Sequence, residues 1–241
     1  MNGFLVVDKP GGMTSRDAVN RVQLWFPRRT KIGHTGTLDP LATGVLVLCI
    51  GGATKLADRV QATPKRYETR IRLGATSDTD DADGAVVETV VTAIPTREAV
   101  EAALPAFVGL IEQLPPQYSA LKVEGRRAYD LARSGAAVAL RPRPVRVDAI
   151  LVRDYGWPWL DLSIDCGKGT YIRSIARDLG AALGVGGIVQ ALRRTRVGPF
   201  QVEKAITLDS SPAQARAALV PVEAMEDKSF ASASPRPDNG S

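Results

Sequence analysis

Short apolar segments along the chain predict many strands separated by turns. GFLVV (3–7) and VLVLCI (45–50) have the length and the branched apolar residues of buried strands. Polar and apolar residues alternate from Tyr67 to Leu73, which is typical of a half-buried strand. Further strands are predicted at 85–91, 117–123, 145–154, 159–166 and 197–204.

Helical spacing of apolar residues is found between these strands. Thr14 or Ser15 can cap a helix whose apolar face includes Ala18, Val19 and Val22. Further helices are predicted at 53–60, 96–107, 171–183 and 187–195. Because the helices interrupt the strands irregularly, without a βαβ repeat, the predicted class is α+β with a largely antiparallel central sheet.

The segment GHTGTLDPLATG (33–44) combines small and turn-forming residues with one carboxylate, Asp39. Gly33, Gly36 and Gly44 predict a loop with special backbone angles, directly before the apolar strand 45–50. A loop supported by a buried strand can hold a reactive group in a fixed place. The chain's one histidine, His34, lies five residues before Asp39.

Charge is unevenly distributed along the 241 residues, whose net charge is +5. Seven Lys or Arg lie between Lys122 and Arg146 against two acidic residues, and a second basic cluster surrounds Arg194. An acidic stretch runs from Asp78 to Glu88. This polarity suits a protein that holds a polyanion on one face, although ordinary solvated surfaces explain the charge alone equally well.

The composition excludes several chemistries. No GxxxxGK[ST] phosphate loop, HExxH or EF-hand pattern is present, and two distant Cys with one His do not make a usual zinc site. Cys49 and Cys166 are expected to be buried free thiols. The N-terminus does not resemble a secretion signal, and no run of apolar residues is long enough to span a membrane.

Carboxylate chemistry is the remaining candidate, with Asp39 as nucleophile or base. GTYIRSIARDLG (169–180) places Tyr171 and Arg173 at a predicted strand-to-helix junction. An arginine facing Asp39 would keep the carboxylate ionised. Taken alone, each of these residues is better explained by structure: Arg173 as a solvated residue in the first turn of a helix, Tyr67 as a core ring and Leu192 as a core residue of a helix.

Taken together, these segments resemble the TruB family of tRNA pseudouridine synthases. The resemblance covers about residues 3–204 in the family's order. The similar segments are GFLVVDKPGGMTS, KIGHTGTLDPLATGVLVL, ATK followed by RYETRIRLGATSDTDDADG, PPQYSALKVEGRRAYDLAR, CGKGTYIRSIARDLG and LRRTRVGPF. This resemblance implies the pseudouridine synthase fold, with a catalytic cleft across the sheet. It also implies that the protein isomerises the uridine at position 55 in the T-loop of tRNA.

The resemblance also implies roles for individual residues. Asp39 matches the catalytic nucleophile, Tyr67 the tyrosine that stacks on the target base, and Arg173 the arginine paired with the aspartate. His34, Tyr171 and Leu192 match substrate-binding positions. The segment 115–146 resembles a flexible thumb that closes over the RNA. Its residues Lys122, Arg126, Arg127 and Arg133 are therefore expected to contact the RNA backbone, and Arg193 of the second basic cluster is expected to do the same.

The expected organisation is a catalytic domain at 1–208, a short C-terminal helix or remnant at 209–224 and a disordered tail at 225–241, without a full PUA domain. The expected partner is the T-arm of tRNA, with no cofactor, metal, membrane or obligatory protein partner, in a monomeric cytoplasmic enzyme.

Three alternatives stay open at this stage. The protein could be a non-catalytic RNA-binding or RNA-folding module, or a pseudouridine synthase for another RNA uridine. A glycosidase is the third alternative, but it needs a second ordered acid, and the stretch Asp78–Asp83 is expected to be solvated.

Overall fold

The computed structural model describes residues 1–119, 122–123, 126–127 and 140–225. The strands described are β1 (Gly3–Lys9), β2 (Ile32–His34), β3 (Thr43–Ile50), β4 (Lys65–Leu73), β5 (Ala75–Ser77), β6 (Val86–Glu88), β7 (Gly109–Gln113), β8 (Lys122–Val123), β9 (Arg126–Arg127), β10 (Arg143–Gly156), β11 (Trp159–Cys166), β12 (Gly187–Val197), β13 (Phe200–Gln201) and β14 (Ile206–Thr207). The α-helices described are α1 (Ser15–Gln23), α2 (Ala57–Ala62), α3 (Arg97–Ala103), α4 (Ile172–Ala182) and α5 (Pro212–Ala217).

Ten of these strands belong to one mixed, mostly antiparallel sheet, which confirms the predicted α+β class. The chain divides into two compact units, Met1–Tyr67 with the residues from Arg193 onward, and Glu68–Leu192. The strands β4 and β12 contribute residues to both units.

The first unit contains the strand order β14-β1-β3-β12, with β2 beside β3 and β13 beside β12. The β1–β3 pair is antiparallel with Val6 opposite Val47, whereas β3 and β12 are parallel, with Gly44 opposite Arg194. Phe4 and Phe200 pack in its core with ring centroids 5.6 Å apart. The remainder of this core consists of small and branched side chains of β1, β3, the 3-10 helix Gly51–Leu56, α2 and β12.

The predicted cap of α1 is confirmed. The Thr14 side chain accepts a hydrogen bond from the Asp17 amide, and the Asp17 carboxylate accepts one from the Thr14 amide, which together form a capping box. The helix buries its predicted apolar face, Ala18, Val19 and Val22. This docking holds the segment that precedes the helix, Lys9–Thr14, in a defined position.

The second unit contains the strand order β12-β4-β11-β10-β7. The long β10 pairs antiparallel with β11, where Ile150 lies opposite Ile164, and with β7, where Val145 lies opposite Ile111. Helix α4 begins after Tyr171 and buries most of its residues. Gly180 allows this packing, since a Cβ there would lie 2.2 Å from the backbone of Gly186.

The predicted helix at 187–195 is wrong, because this segment is strand β12. Gln190, Ala191 and Leu192 have good helix propensity, which misled the prediction. Pairing along β12 overrides it, and Leu192 and Arg194, two residues apart and both buried, share one face of the strand. Gly184 and Gly186, both with positive φ, lie in the turn that separates α4 from the strand.

Smaller differences concern strand boundaries. Of the strand predicted at 117–123, residues 117–119 are not in a strand, whereas Lys122–Val123 form β8. Strand β7 was missed because its exposed face carries Leu110. The strand predicted at 197–204 consists of the end of β12, the short β13 and a 3-10 helix at Val202–Lys204. These segments are short and lack a clear alternation of apolar residues.

Cys49 and Cys166 are both buried and are not disulfide-bonded, as predicted. Among the described residues, no helix combines the length and the apolar character that crossing a bilayer requires. Residues 226–241 of the predicted tail and half of the predicted thumb, residues 120–121, 124–125 and 128–139, lie outside the described residues. The predicted domain boundaries stay a prediction.

Candidate active site

The loop that carries Asp39 lies between β2 and β3, in the first unit. His34 ends β2 and Thr43 begins β3, so the predicted loop is confirmed for 35–42 and is shorter at both ends. Inside the loop the Ala42 amide donates to the Asp39 carbonyl over 3.1 Å. Leu38 is buried, whereas Asp39 is partly exposed. The backbone is therefore anchored while the carboxylate side chain keeps access to the surface.

Ser15 anchors the residue before Asp39. Its hydroxyl accepts a hydrogen bond from the Leu38 amide at 2.8 Å and donates to the Leu38 carbonyl at 3.1 Å. Ser15 and Leu38 are both almost fully buried. Since a buried backbone group without a partner is costly, this pair of bonds fixes Leu38 against the start of α1.

Lys9 anchors the residue after Asp39. This lysine is fully buried, and its Nζ donates to the carbonyls of Pro10 and Met13, each at 2.8 Å, and of Pro40 at 3.4 Å. Burial lowers the pKa of Lys9 to about 8, while the nearby Asp39 favours its charged form and Arg194 opposes it. The buried ammonium group of Lys9 therefore lies close enough to the Asp39 carboxylate to interact with it electrostatically.

Arg194 is a second buried cation at this loop, with 3% of its surface exposed. Its Nε donates to the Val45 carbonyl at 2.8 Å, and its Nη atoms donate to Gly36 at 3.1 Å and Thr37 at 3.4 Å. Gly44, opposite Arg194 in the β3–β12 pair, has φ +99°, and a Cβ there would lie 2.2 Å from the Arg194 carbonyl oxygen. Only glycine permits this close approach.

Three other predicted site residues lie in the first unit. Tyr67 on β4 is 9% exposed, and its hydroxyl lies 3.5 Å from Arg194 Nη1. His34 is half-buried on β2, opposite Leu48. Arg193 binds Asp8 through both Nη atoms, at 2.7 and 3.1 Å, so an RNA phosphate would compete with this carboxylate.

Arg173 lies in the first turn of helix α4 in the second unit and is 4% exposed, so it is not a solvated residue. Its guanidinium donates to the Thr79 carbonyl at 2.8 Å and the Tyr118 carbonyl at 3.0 Å, and lies 3.5 Å from Asp81 Oδ2. Asp39 belongs to the other unit. The pairing of Arg173 with Asp39 stays a prediction.

Tyr171 precedes α4 and is held through its backbone. The buried Gln113 accepts from the Tyr171 amide at 2.8 Å and donates to its carbonyl at 3.0 Å. The Arg143 guanidinium lies over the Tyr171 ring, 5.0 Å from the centroid. A tyrosine fixed by a buried amide and covered by a cation is well suited to contact an RNA base.

The acidic stretch Asp78–Asp83 is not simply solvated, which corrects the expectation. Asp81 is 4% exposed and accepts hydrogen bonds from the Thr79 hydroxyl at 2.6 Å and the Asp83 amide at 3.1 Å, besides its contact with Arg173. Asp80 pairs with Arg177 at 2.9 Å, and burial nevertheless raises its pKa. The loop thus supports the start of α4.

The other predicted residues are placed as follows. Leu192 is 9% exposed on β12, a strand and not a helix. Lys122 lies on β8, and Arg126 and Arg127 lie on β9, its antiparallel partner. Arg133 lies outside the described residues. In the parts of the chain that are described, no group of three or more His, Cys, Asp or Glu side chains could hold a metal ion.

Comparison with known proteins decides the family. Residues 25–172 match the model of the TruB family pseudouridylate synthase N-terminal domain. The chain belongs to the TruB family. Residues 173–225 match the tRNA pseudouridylate synthase B C-terminal domain. The first of these matches contains Asp39 and Tyr67, and the second contains Arg173 and Arg194.

Curated members of the TruB family are similar over most of this chain. The tRNA pseudouridine synthase B of Gluconacetobacter diazotrophicus is 54% identical over 210 residues, which are 87% of this chain and 68% of the relative. The protein of the same name from Mycobacterium tuberculosis is 52% identical over 212 residues, or 86% of this chain and 70% of the relative.

Solved structures similar to this TruB-family chain include the Cbf5-Nop10-Gar1 complex, with 30% identity and a TM-score of 0.66, and an H/ACA RNP bound to a substrate RNA containing 2'-deoxyuridine, with 27% identity and a TM-score of 0.63. The matches cover 86% of this chain but only 52% and 51% of those chains. The chain thus spans about half the length of these two solved chains.

Sequence reasoning missed Lys9, Ser15 and Arg194 as parts of this TruB-family site. Lys9 follows a buried strand in a DKPGG turn, where a lysine normally points to solvent. Arg194 was grouped with surface arginines because its segment was predicted to be helical. Had the segment been assigned as a strand, Arg194 would have been placed on the same strand face as Leu192 and recognised as buried.

Proposed function

We propose that this protein isomerises uridine to pseudouridine at position 55 in the T-loop of tRNA. Membership of the TruB family and more than 50% identity to proteins named tRNA pseudouridine synthase B support the reaction and the RNA class. The observation that carries the proposal is the Asp39 loop, whose backbone is held on both sides by the buried Ser15 and Lys9. The T-loop position follows from the sequence resemblance.

The reaction breaks the bond between ribose and uracil N1, rotates the base and rejoins it through C5. Asp39 could attack the anomeric carbon, attack the uracil ring, or assist elimination to a glycal. Each route requires an ionised carboxylate held in a fixed position beside the nucleotide, and the C5 proton is released when the new bond is complete. The buried ammonium of Lys9 favours the ionised state of Asp39 by attraction.

The target base lies inside a folded RNA loop and must be extruded first. Unstacking costs a few kcal/mol, which stacking on Tyr67 and insertion of His34 would offset. In this proposal Arg173 accompanies the catalytic carboxylate, while Tyr171 and Leu192 contact the nucleotide. The fixed backbone of Tyr171 and the burial of Leu192 support these roles.

Contacts to the RNA backbone are proposed for Lys122, Arg126, Arg127, Arg133 and Arg193. Phosphate contacts by such side chains make binding strong and salt-dependent without reading sequence. The proposed substrate implies that the protein acts in the cytoplasm, where tRNA is present. We propose that it acts as a monomer and needs no protein partner.

The test is single-turnover conversion of a T-arm hairpin with the purified protein in excess. Uridine tritiated at C5 releases its label when the C1′–C5 bond forms, and pseudouridine mapping locates the product. We expect one modified uridine, at position 55, and no release from a hairpin with cytidine there. RNA binding without label release would instead favour the non-catalytic RNA-folding module, and release from another uridine would refute the assigned position.

A further inference from the structure

The buried Arg194 has no role in the proposed reaction, although it contacts the Asp39 loop. Taking an arginine side chain out of water is costly unless its donors are satisfied. Here four acceptors surround the guanidinium: the carbonyls of Val45, Gly36 and Thr37, and the hydroxyl of Tyr67. Three of the four are backbone atoms of the Asp39 loop or of the strand that follows it.

The shape of the guanidinium matches this arrangement. Its planar fork can direct donors to several acceptors at once, which the single ammonium of a lysine cannot reproduce. Gly36 lies close against it, since a Cβ at Gly36 would be 3.7 Å from Arg194 Nη1. The glycine at position 44 brings the Arg194 backbone into contact with the end of the loop. Both ends of the loop are therefore fixed to one residue of β12.

We infer that Arg194 is a positioning residue, which aims the Asp39 carboxylate by fixing the backbone at Gly36, Thr37 and Val45, and orients the Tyr67 hydroxyl through the same guanidinium. It acts through these residues and does not itself touch the RNA. The inference rests on the proposed function, because Asp39 and Tyr67 are its catalytic residues.

The inference predicts a specific kinetic effect. A reacting group misplaced by about 1 Å loses on the order of 100-fold in rate. Arg194→Gln should therefore lower the single-turnover rate about 100-fold on the T-arm hairpin, with the RNA dissociation constant within threefold of wild type. Arg194→Lys keeps the charge but loses the planar fork, so its single-turnover rate should lie between those of wild type and Arg194→Gln. Arg70→Lys is the matched control, because Arg70 makes a two-bond contact with Asp161 at an exposed position of β4.

Hydrogen exchange provides a readout that does not depend on activity. The Ala42 amide, bonded to the Asp39 carbonyl, should exchange at least tenfold faster in Arg194→Lys than in wild type, with an unchanged rate in Arg70→Lys. If Arg194→Gln does not fold, Arg194→Lys alone decides. Rates within threefold of wild type in the folded variants, or a loss confined to RNA affinity, would overturn the inference. If the wild-type protein gives no product, the proposed function fails, and unchanged exchange at Ala42 would then separately overturn the role of Arg194.

Discussion

Replacing Lys9 with methionine should change how the stability of the protein depends on pH. Burial lowers the pKa of Lys9 from 10.5 to about 8. Between these two values the folded protein has lost this proton while the unfolded chain still binds it, so raising the pH favours the folded state. Below pH 8 both states are protonated and the full cost of burying the charge is present.

The magnitude follows from the two pKa values. At about 1.4 kcal/mol for each tenfold change in proton affinity, the full effect is roughly 3 kcal/mol, and most of it develops between pH 7 and pH 10. Cys49 acts in the opposite direction, since burial raises its pKa from 9.0 to about 11 and stability then decreases above pH 9. The wild-type curve alone therefore mixes two opposing effects.

Subtracting the Lys9→Met curve removes the contribution of Cys49, because both proteins contain this thiol. Urea unfolding at pH 7, 8, 9 and 10 should show the wild-type free energy of unfolding rising by roughly 2 to 3 kcal/mol relative to the variant. If the difference in free energy of unfolding between the two proteins stays constant within about 0.5 kcal/mol over this pH range, burial does not lower the pKa of Lys9 beside Asp39.

Three further predictions follow from the structure. Ser15→Ala leaves the buried amide and carbonyl of Leu38 without their partner, so the free energy of unfolding should fall by about 2 kcal/mol in urea titrations, and a loss under about 0.5 kcal/mol would contradict the anchor. Gly44→Ala should lower the free energy of unfolding by roughly 3 kcal/mol more than Gly109→Ala does, because Gly109 has the same φ of +99° but no heavy atom within 4 Å of the new Cβ. Equal losses of stability in the two variants would exclude the close approach of Arg194 to Gly44. Reversing the charges of Arg126, Arg127 and Arg133 to Glu should weaken tRNA binding and reduce the slope of log affinity against log salt by about 2, whereas Arg97→Glu should leave it unchanged. An unchanged slope in the triple variant would mean that these arginines only solvate the surface.

The parts of the fold that the sequence predicted well are those where local pattern and tertiary packing agree. In β1, β3 and α1 the apolar residues that indicated the element are also the residues that it buries. The Asp39 loop was recognised because small residues and Pro40 exclude regular structure, although only Gly44 among its predicted special glycines has a positive φ.

Strand β12 shows where local pattern fails. Its sequence favours a helix, and only its pairing with strands distant in sequence makes it extended. The buried cations were missed for a related reason, since the burial of Lys9 and Arg194 depends on carbonyl groups from other segments. Sequence alone can indicate that a residue is charged, but not that distant backbone atoms surround it.

The central claim is that Asp39 performs the chemistry on a loop that other residues fix. Its most direct test is Asp39→Asn, which keeps the size of the side chain but removes its charge. We predict a single-turnover rate on the T-arm hairpin more than about 10⁴-fold below wild type, since loss of a nucleophile removes most of the catalytic effect. RNA affinity should be unchanged, and the variant should remain folded. A folded Asp39→Asn protein that forms pseudouridine within tenfold of the wild-type rate would contradict the account.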